Sequence, residues 1–217
     1  MEYETQRKNL IEHLISSGCL SKKEVIKAML AVPRHRFIPE CYSSEAYYDH
    51  PVPVMDGQTI SAPHMVAIMT ELLDVKIDSK ILEIGAGSGY QAAVLAEIAR
   101  EGEIYTIERI PALATFAEKN LKECGYKNVH VITGDGTLGY KEKATYDTII
   151  VTAGAPKIPP ALVEQLADKG KLAIPVGGRF YQELMLIGKD GTHVTEKTLG
   201  GCIFVPLIGK DGYAQDY

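Results

Sequence analysis

Apolar residues recur every three to four positions in three stretches near the start of the chain. Leu10, Ile11, Leu14 and Ile15 predict an amphipathic helix over about 4–16, ending before Gly18. Ser21 and Glu24 have capping-box spacing, so a second helix is expected to open there, carry Val25, Ile26, Met29 and Leu30, and end near Pro33. Met65, Ile68, Met69 and Leu72 predict a third helix at about 64–73. Between the second and third, Pro33, Pro39, Pro51, Pro53 and Pro63 break any long element. That irregular stretch is long for a connection in a compact domain, which makes it a candidate functional loop.

From position 76 onward, short β-branched runs alternate with helical periods. Strands are expected near 81–84, 104–107, 128–132, 147–152 and 171–175, and helices near 90–99, 111–124 and 159–167. This βαβ alternation calls for an α/β fold with a doubly wound, mostly parallel sheet. In the tail, 184–187 and 203–207 are expected to add an antiparallel, hairpin-like edge, which brings the sheet to seven strands. Residues 1–217 are expected to form one domain. Within it, 1–75 hold the N-terminal helices and substrate loop, 76–180 the cofactor core, and 181–217 the last strands.

The first of these strands runs into a glycine turn: Ile81-Leu82-Glu83-Ile84-Gly85-Ala86-Gly87-Ser88-Gly89-Tyr90. The glycines fall as G-x-G-x-G, and Tyr90 stands where a dinucleotide fingerprint would place its last glycine. With Glu83 just before the turn, the run resembles the first motif of S-adenosylmethionine-dependent methyltransferases. Gly85, Ala86, Gly87, Ser88 and Gly89 would let the backbone approach a ligand closely. Glu108 ends the second strand at the offset where a carboxylate accepts from ribose hydroxyls. Asp135 and Gly136 follow the third strand, where they are expected at the adenine edge. The cofactor is therefore expected to be S-adenosyl-L-methionine, released as S-adenosyl-L-homocysteine.

Composition narrows the class. A formal net charge of -5 and 24% charged residues argue against a nucleic-acid surface. No long apolar run or signal-peptide core is present, so no membrane span is expected and a cytoplasmic protein is. Cys19, Cys41, Cys124 and Cys202 lack ligand spacing, so no metal is expected.

The acceptor is indicated upstream, by Asp56-Gly57-Gln58-Thr59-Ile60-Ser61-Ala62-Pro63-His64-Met65. This run resembles the signature of protein-L-isoaspartate O-methyltransferases. So do Val32-Pro33-Arg34-His35-Arg36-Phe37-Ile38-Pro39, the block from Asp147 to Ala155, and Val205-Pro206-Leu207. The resemblance covers essentially the whole chain. It implies methyl transfer to the free α-carboxylate of L-isoaspartyl residues in damaged proteins and peptides, and more weakly to D-aspartyl residues. The ester then collapses to a succinimide, which opens the way to repair. The resemblance also implies a last pair of strands arranged differently from the usual methyltransferase order, and a monomer is expected.

Residue by residue, the resemblance makes Ser61 the active-site serine and sets Gln58 and His64 against the cofactor. Thr59, Ile60, Ser61, His64, Val205, Pro206 and Leu207 would frame the substrate cleft. Where animal members continue with a threonine after this last block, the chain has Ile208. A carboxylate with a pKa of about 4 is already ionised at neutral pH, so no general base is required. Alignment and exclusion of water suffice, and a serine hydroxyl can orient one carboxylate oxygen. By position alone, Ser61 before Ala62 and Pro63 is also a helix N-cap, and His64 a first-turn residue. A DNA amino-methylating motif is absent after the fourth strand, where Thr152-Ala153-Gly154-Ala155-Pro156 stands. A nicotinamide enzyme is disfavoured by Tyr90, and a non-catalytic adenosyl-binding domain by the intact Ser61 segment.

Overall fold

The computed structural model describes residues 2–214. Helices α1 (Glu2–Ser16), α2 (Lys23–Ala31) and α3 (Pro63–Leu72) precede the core, with a small hairpin of β1 (Val52–Pro53) and β2 (Thr59–Ile60) between the last two. The core continues through β3 (Lys80–Ile84), α4 (Tyr90–Ile98), β4 (Glu103–Glu108), α5 (Pro111–Glu123), β5 (Val129–Thr133) and β6 (Tyr146–Val151). It closes with α6 (Pro160–Glu164), β7 (Leu166–Gly178), β8 (Tyr181–Asp190) and β9 (His193–Cys202).

One seven-stranded sheet runs in the order β5-β4-β3-β6-β7-β8-β9. β5, β4, β3, β6 and β7 are parallel, and β8 and β9 follow as an antiparallel meander. The parallel strands bury both faces, which is why they read as continuous apolar runs. On one face Ile81, Ile104, Ile150 and Ala173 pack with residues of α1–α4. On the other, Leu82, Ile84, Ile149, Val151 and Leu172 pack with Leu162 of α6. The doubly wound expectation holds, with its topological switch between β3 and β4 on one side and β6 on the other.

Three local expectations are corrected. The segment 203–207 is not a strand, and the partner of β8 is β9, where no strand was expected. β9 is an almost wholly exposed edge, so it carries no apolar alternation. Residues 203–207 instead cross the carboxyl edge of the sheet: Gly154 N–H donates to Val205 O and Leu207 N–H to Gly154 O, both at 2.8 Å.

The expected helix 159–167 stops at Glu164. Leu166 continues the helical spacing of Leu162 but pairs with Tyr146 as the first residue of β7. Ser21 is no helix cap: α2 opens at Lys23, and the Ser21 hydroxyl donates to Glu71 Oε2 at 2.9 Å. The proline-rich stretch carries no long element, as expected. It holds two short 3-10 turns, Arg34–Phe37 and Glu40–Glu45, followed by the β1–β2 hairpin.

Candidate active site

The carboxyl ends of β3, β4 and β6 open onto a cleft of about 910 Å³, counting its solvent-facing mouth. The glycine turn after β3 forms one wall. Gly85 has φ +96°, and a Cβ there would stand 2.5 Å from Thr152 Oγ1, so only glycine fits. The Thr152 hydroxyl donates to Gly85 O at 2.7 Å, which ties the end of β6 to the turn. Gly136 meets the same end of β3 closely: its Cβ would lie 2.3 Å from Ile84 Cγ2.

Glu108 organises this wall. Its Oε2 accepts from Gly87 N–H and its Oε1 from Ile110 N–H, both at 3.0 Å. Glu108 lines the cleft, and each of its oxygens can accept one further hydrogen bond. Glu83 is fully buried, lines the cleft, and has neither carboxyl oxygen hydrogen-bonded among the described residues. Burial raises its pKa to about 8, and the nearby Glu108 adds to the rise. A buried, unsatisfied carboxyl facing a cavity is costly and points to a ligand that supplies donors.

The segment expected at the substrate lines the same cleft. Gln58, Thr59, Ile60 and Ser61 line the cleft, as do Val205, Pro206 and Leu207. The cleft therefore brings together residues nearly 150 positions apart. Gly85, Ala86, Gly87, Ser88 and Gly136 line it as well, so most of the expected site converges. Among the described residues the Ser61 hydroxyl has no hydrogen-bond partner. Ser61 is not the cap of α3 either, since the N-cap position is Ala62, with no side-chain cap.

Three expected residues stand elsewhere. Gly89 is the left-handed N-cap of α4 and lies behind the lining. His64 lies outside the lining: its N–H and its Nδ1 both face Asp49 Oδ1 at 2.9 Å. Asp49 thus serves α3 as a remote cap. Asp135 is also outside. Its Oδ1 accepts from Thr137 N–H at 2.9 Å and Oγ1 at 2.7 Å, and its Oδ2 accepts from Lys210 N–H at 2.8 Å. Asp135 thereby pins the chain just beyond Leu207, which keeps Ile208 in the cleft wall.

Several contributing residues escaped the sequence reading. Arg34 is fully buried, donates to Ala46 O at 2.9 Å and Ser61 O at 2.8 Å, and sits 4.8 Å over the Tyr90 ring. Gln91 lines the cleft with its amide fixed on Thr70 Oγ1 at 3.0 Å. Only the presence of Arg34 in a quoted family block could have marked it. Among the described residues no helix is long and apolar enough to cross a membrane, and no cluster of three His, Cys, Asp or Glu side chains could hold a metal ion.

The chain matches the family model described as Protein-L-isoaspartate(D-aspartate) O-methyltransferase (PCMT) over residues 5–212. It is 54% identical over 213 residues to a protein-L-isoaspartate O-methyltransferase of Methanopyrus kandleri, covering 96% of this chain and 94% of that protein. A counterpart from Staphylothermus marinus is 53% identical over 220 residues, with 97% of each chain covered. A solved structure from Plasmodium falciparum, described as a protein-L-isoaspartate O-methyltransferase in complex with S-adenosyl-L-homocysteine, superposes with a TM-score of 0.83. It is 31% identical and covers 93% of this chain and 98% of its own. The chain belongs to the protein-L-isoaspartate(D-aspartate) O-methyltransferase family of S-adenosylmethionine-dependent enzymes.

Proposed function

We propose that this chain methylates the free α-carboxylate of L-isoaspartyl residues, and more weakly D-aspartyl residues, in damaged proteins and peptides. The observation that carries the reading is that one cleft joins the two expected walls. The glycine turn, Glu83 and Glu108 line the same cleft as Ser61 and Val205 to Leu207. S-adenosylmethionine supplies an activated methyl group on a sulfonium sulfur when bound. Glu108 would hold the ribose hydroxyls, and the buried Glu83 would answer the amino group of the methionine part. Asp135 contributes by holding the 208–211 segment, and His64 by fixing the start of α3 beside Ser61.

The acceptor carboxylate is ionised at neutral pH, so the residues need only align it and exclude water. Ser61 has an uncommitted hydroxyl on the cleft wall, able to donate to one carboxylate oxygen while the other faces the methyl group. The methyl ester would then be lost to attack by the following backbone nitrogen, releasing methanol and forming the succinimide. Substrates are isoaspartyl polypeptides; nucleic acid, metal and membrane play no part in this reading, and the protein acts as a cytoplasmic monomer.

The test is transfer of labelled methyl from S-adenosylmethionine to two peptides that differ only in isoaspartate versus aspartate. Label on the isoaspartyl peptide alone supports the reading. Equal labelling of both would replace it with a broader carboxyl specificity.

A further inference from the structure

We infer that Phe180, Tyr181 and Ile203 form a docking surface for apolar residues flanking the methylated position of a substrate polypeptide. The inference rests on the isoaspartyl reading of the cleft. β3 and β6 are parallel and bring their carboxyl ends to the cleft, and β7, parallel to β6, ends at the same edge of the sheet. β8 runs antiparallel to β7 and so begins at that edge, and β9, antiparallel to β8, ends there. The β7–β8 turn and the exit of β9 therefore lie along the rim.

Phe180 and Ile203 are 88% and 74% exposed, the highest values for large apolar side chains among the described residues, and Tyr181 is 57% exposed. The register pairs Gln182 with Cys202, which sets Tyr181 beside Ile203 one step further along. The Tyr181 ring lies over Gly201, where a Cβ would stand 2.6 Å from its hydroxyl. The surface is firmly held. Gln182 is fully buried; its Oε1 accepts from Phe204 N–H at 2.8 Å and its Nε2 donates to Gly178 O at 2.5 Å. Exposed Ile203, buried Phe204 and cleft-lining Val205 alternate, so the apolar rim continues directly into the cleft wall.

An acceptor inside a chain reaches Ser61 only if its neighbours cross the rim. A rim of exposed Phe, Tyr and Ile favours neighbours that leave water on contact. A second copy of the chain fits less well: three side chains of at most roughly 250 Å² each fall short of the ~800 Å² per partner of a stable interface.

The test uses two isoaspartyl peptides of equal length, one with Leu and Val flanks and one with Ser and Gly flanks. Each is measured with the wild-type protein and with Phe180→Ser/Ile203→Ser. The wild type should show a KM for the apolar-flanked peptide lower by about tenfold, the scale of one apolar pocket contact. The double variant should abolish that difference, leaving kcat and the polar-flanked KM unchanged. Equal wild-type KM values, or an equal shift for both peptides in the variant, would overturn the inference. So would a wild-type dimer in sedimentation that the variant dissociates, because it would assign the surface to self-association. Fluorescence anisotropy with labelled peptides separates the two readings. If neither peptide is methylated but apolar-flanked binding is still lost in the variant, the function reading fails and the surface stands.

Discussion

The Arg34 Nη2 donates to the main-chain oxygen of Ser61 at 2.8 Å, while the same guanidinium lies over the Tyr90 ring at 4.8 Å. Ser61 belongs to the proposed substrate wall and Tyr90 opens the helix behind the glycine turn. One fully buried cation thus ties the two walls together. Arg34→Met would strand the Ala46 and Ser61 carbonyls and is expected to cost about 2–4 kcal/mol. Arg34→Lys keeps the charge without the fork, and should lower kcat while leaving the Kd for S-adenosylhomocysteine nearly unchanged. Denaturant unfolding and steady-state kinetics check both. Stability of the Met variant within about 0.5 kcal/mol of wild type would remove Arg34 from this role.

Asp49, not Ser61, supplies the side-chain cap at the start of α3. Asp49→Ala is expected to destabilise the fold by about 1 kcal/mol. Ser61→Ala should leave the melting temperature unchanged and lower kcat more than it weakens cofactor binding. A thermal melt of each variant distinguishes them, and equal losses of stability would return Ser61 to a capping role.

Glu108 holds Gly87 and Ile110 and still faces the cleft. Its replacement by Ala should weaken cofactor binding by about 1.5–3 kcal/mol, the worth of charge-assisted hydrogen bonds. That corresponds to a KM for S-adenosylmethionine raised about 10- to 150-fold. An unchanged KM would place the ribose elsewhere.

Glu83 titrates at about 8 in the folded chain because it is buried, against an ordinary value of 4.5. Between these values the folded chain binds more protons than the unfolded one. Its contribution to stability is complete below pH 4.5 and is lost as pH rises through 8, with a limiting slope of about 1.4 kcal/mol per pH unit. Glu83→Gln should therefore flatten the fall of melting temperature over this window. A wild-type curve no steeper than the variant's would show that the carboxyl is ionised throughout.

The sequence disclosed what neighbouring residues determine. The strand from Ile81 into Gly85, the acid ending β4 and the helix after Pro63 follow from local spacing, and the structure keeps all three. It was silent where one element's role is set by a distant one. β9 is a strand only because β8 pairs with it, and its exposed polar residues carry no period. Asp135 follows a strand as a ligand-facing acid would, yet the Lys210 amide, 75 positions away, claims one of its oxygens. His64 similarly turns to Asp49 and Arg34 to Ala46 and Ser61, contacts that no motif spacing encodes.

The most direct measurement is a mass-spectrometric time course of an isoaspartyl peptide with S-adenosylmethionine and the protein, alongside its aspartyl twin. The expected result is a methyl ester on the isoaspartyl peptide only, followed in mild base by loss of methanol, a succinimide, and then aspartate. A methyl group that survives mild base, or one that appears equally on both peptides, would contradict it.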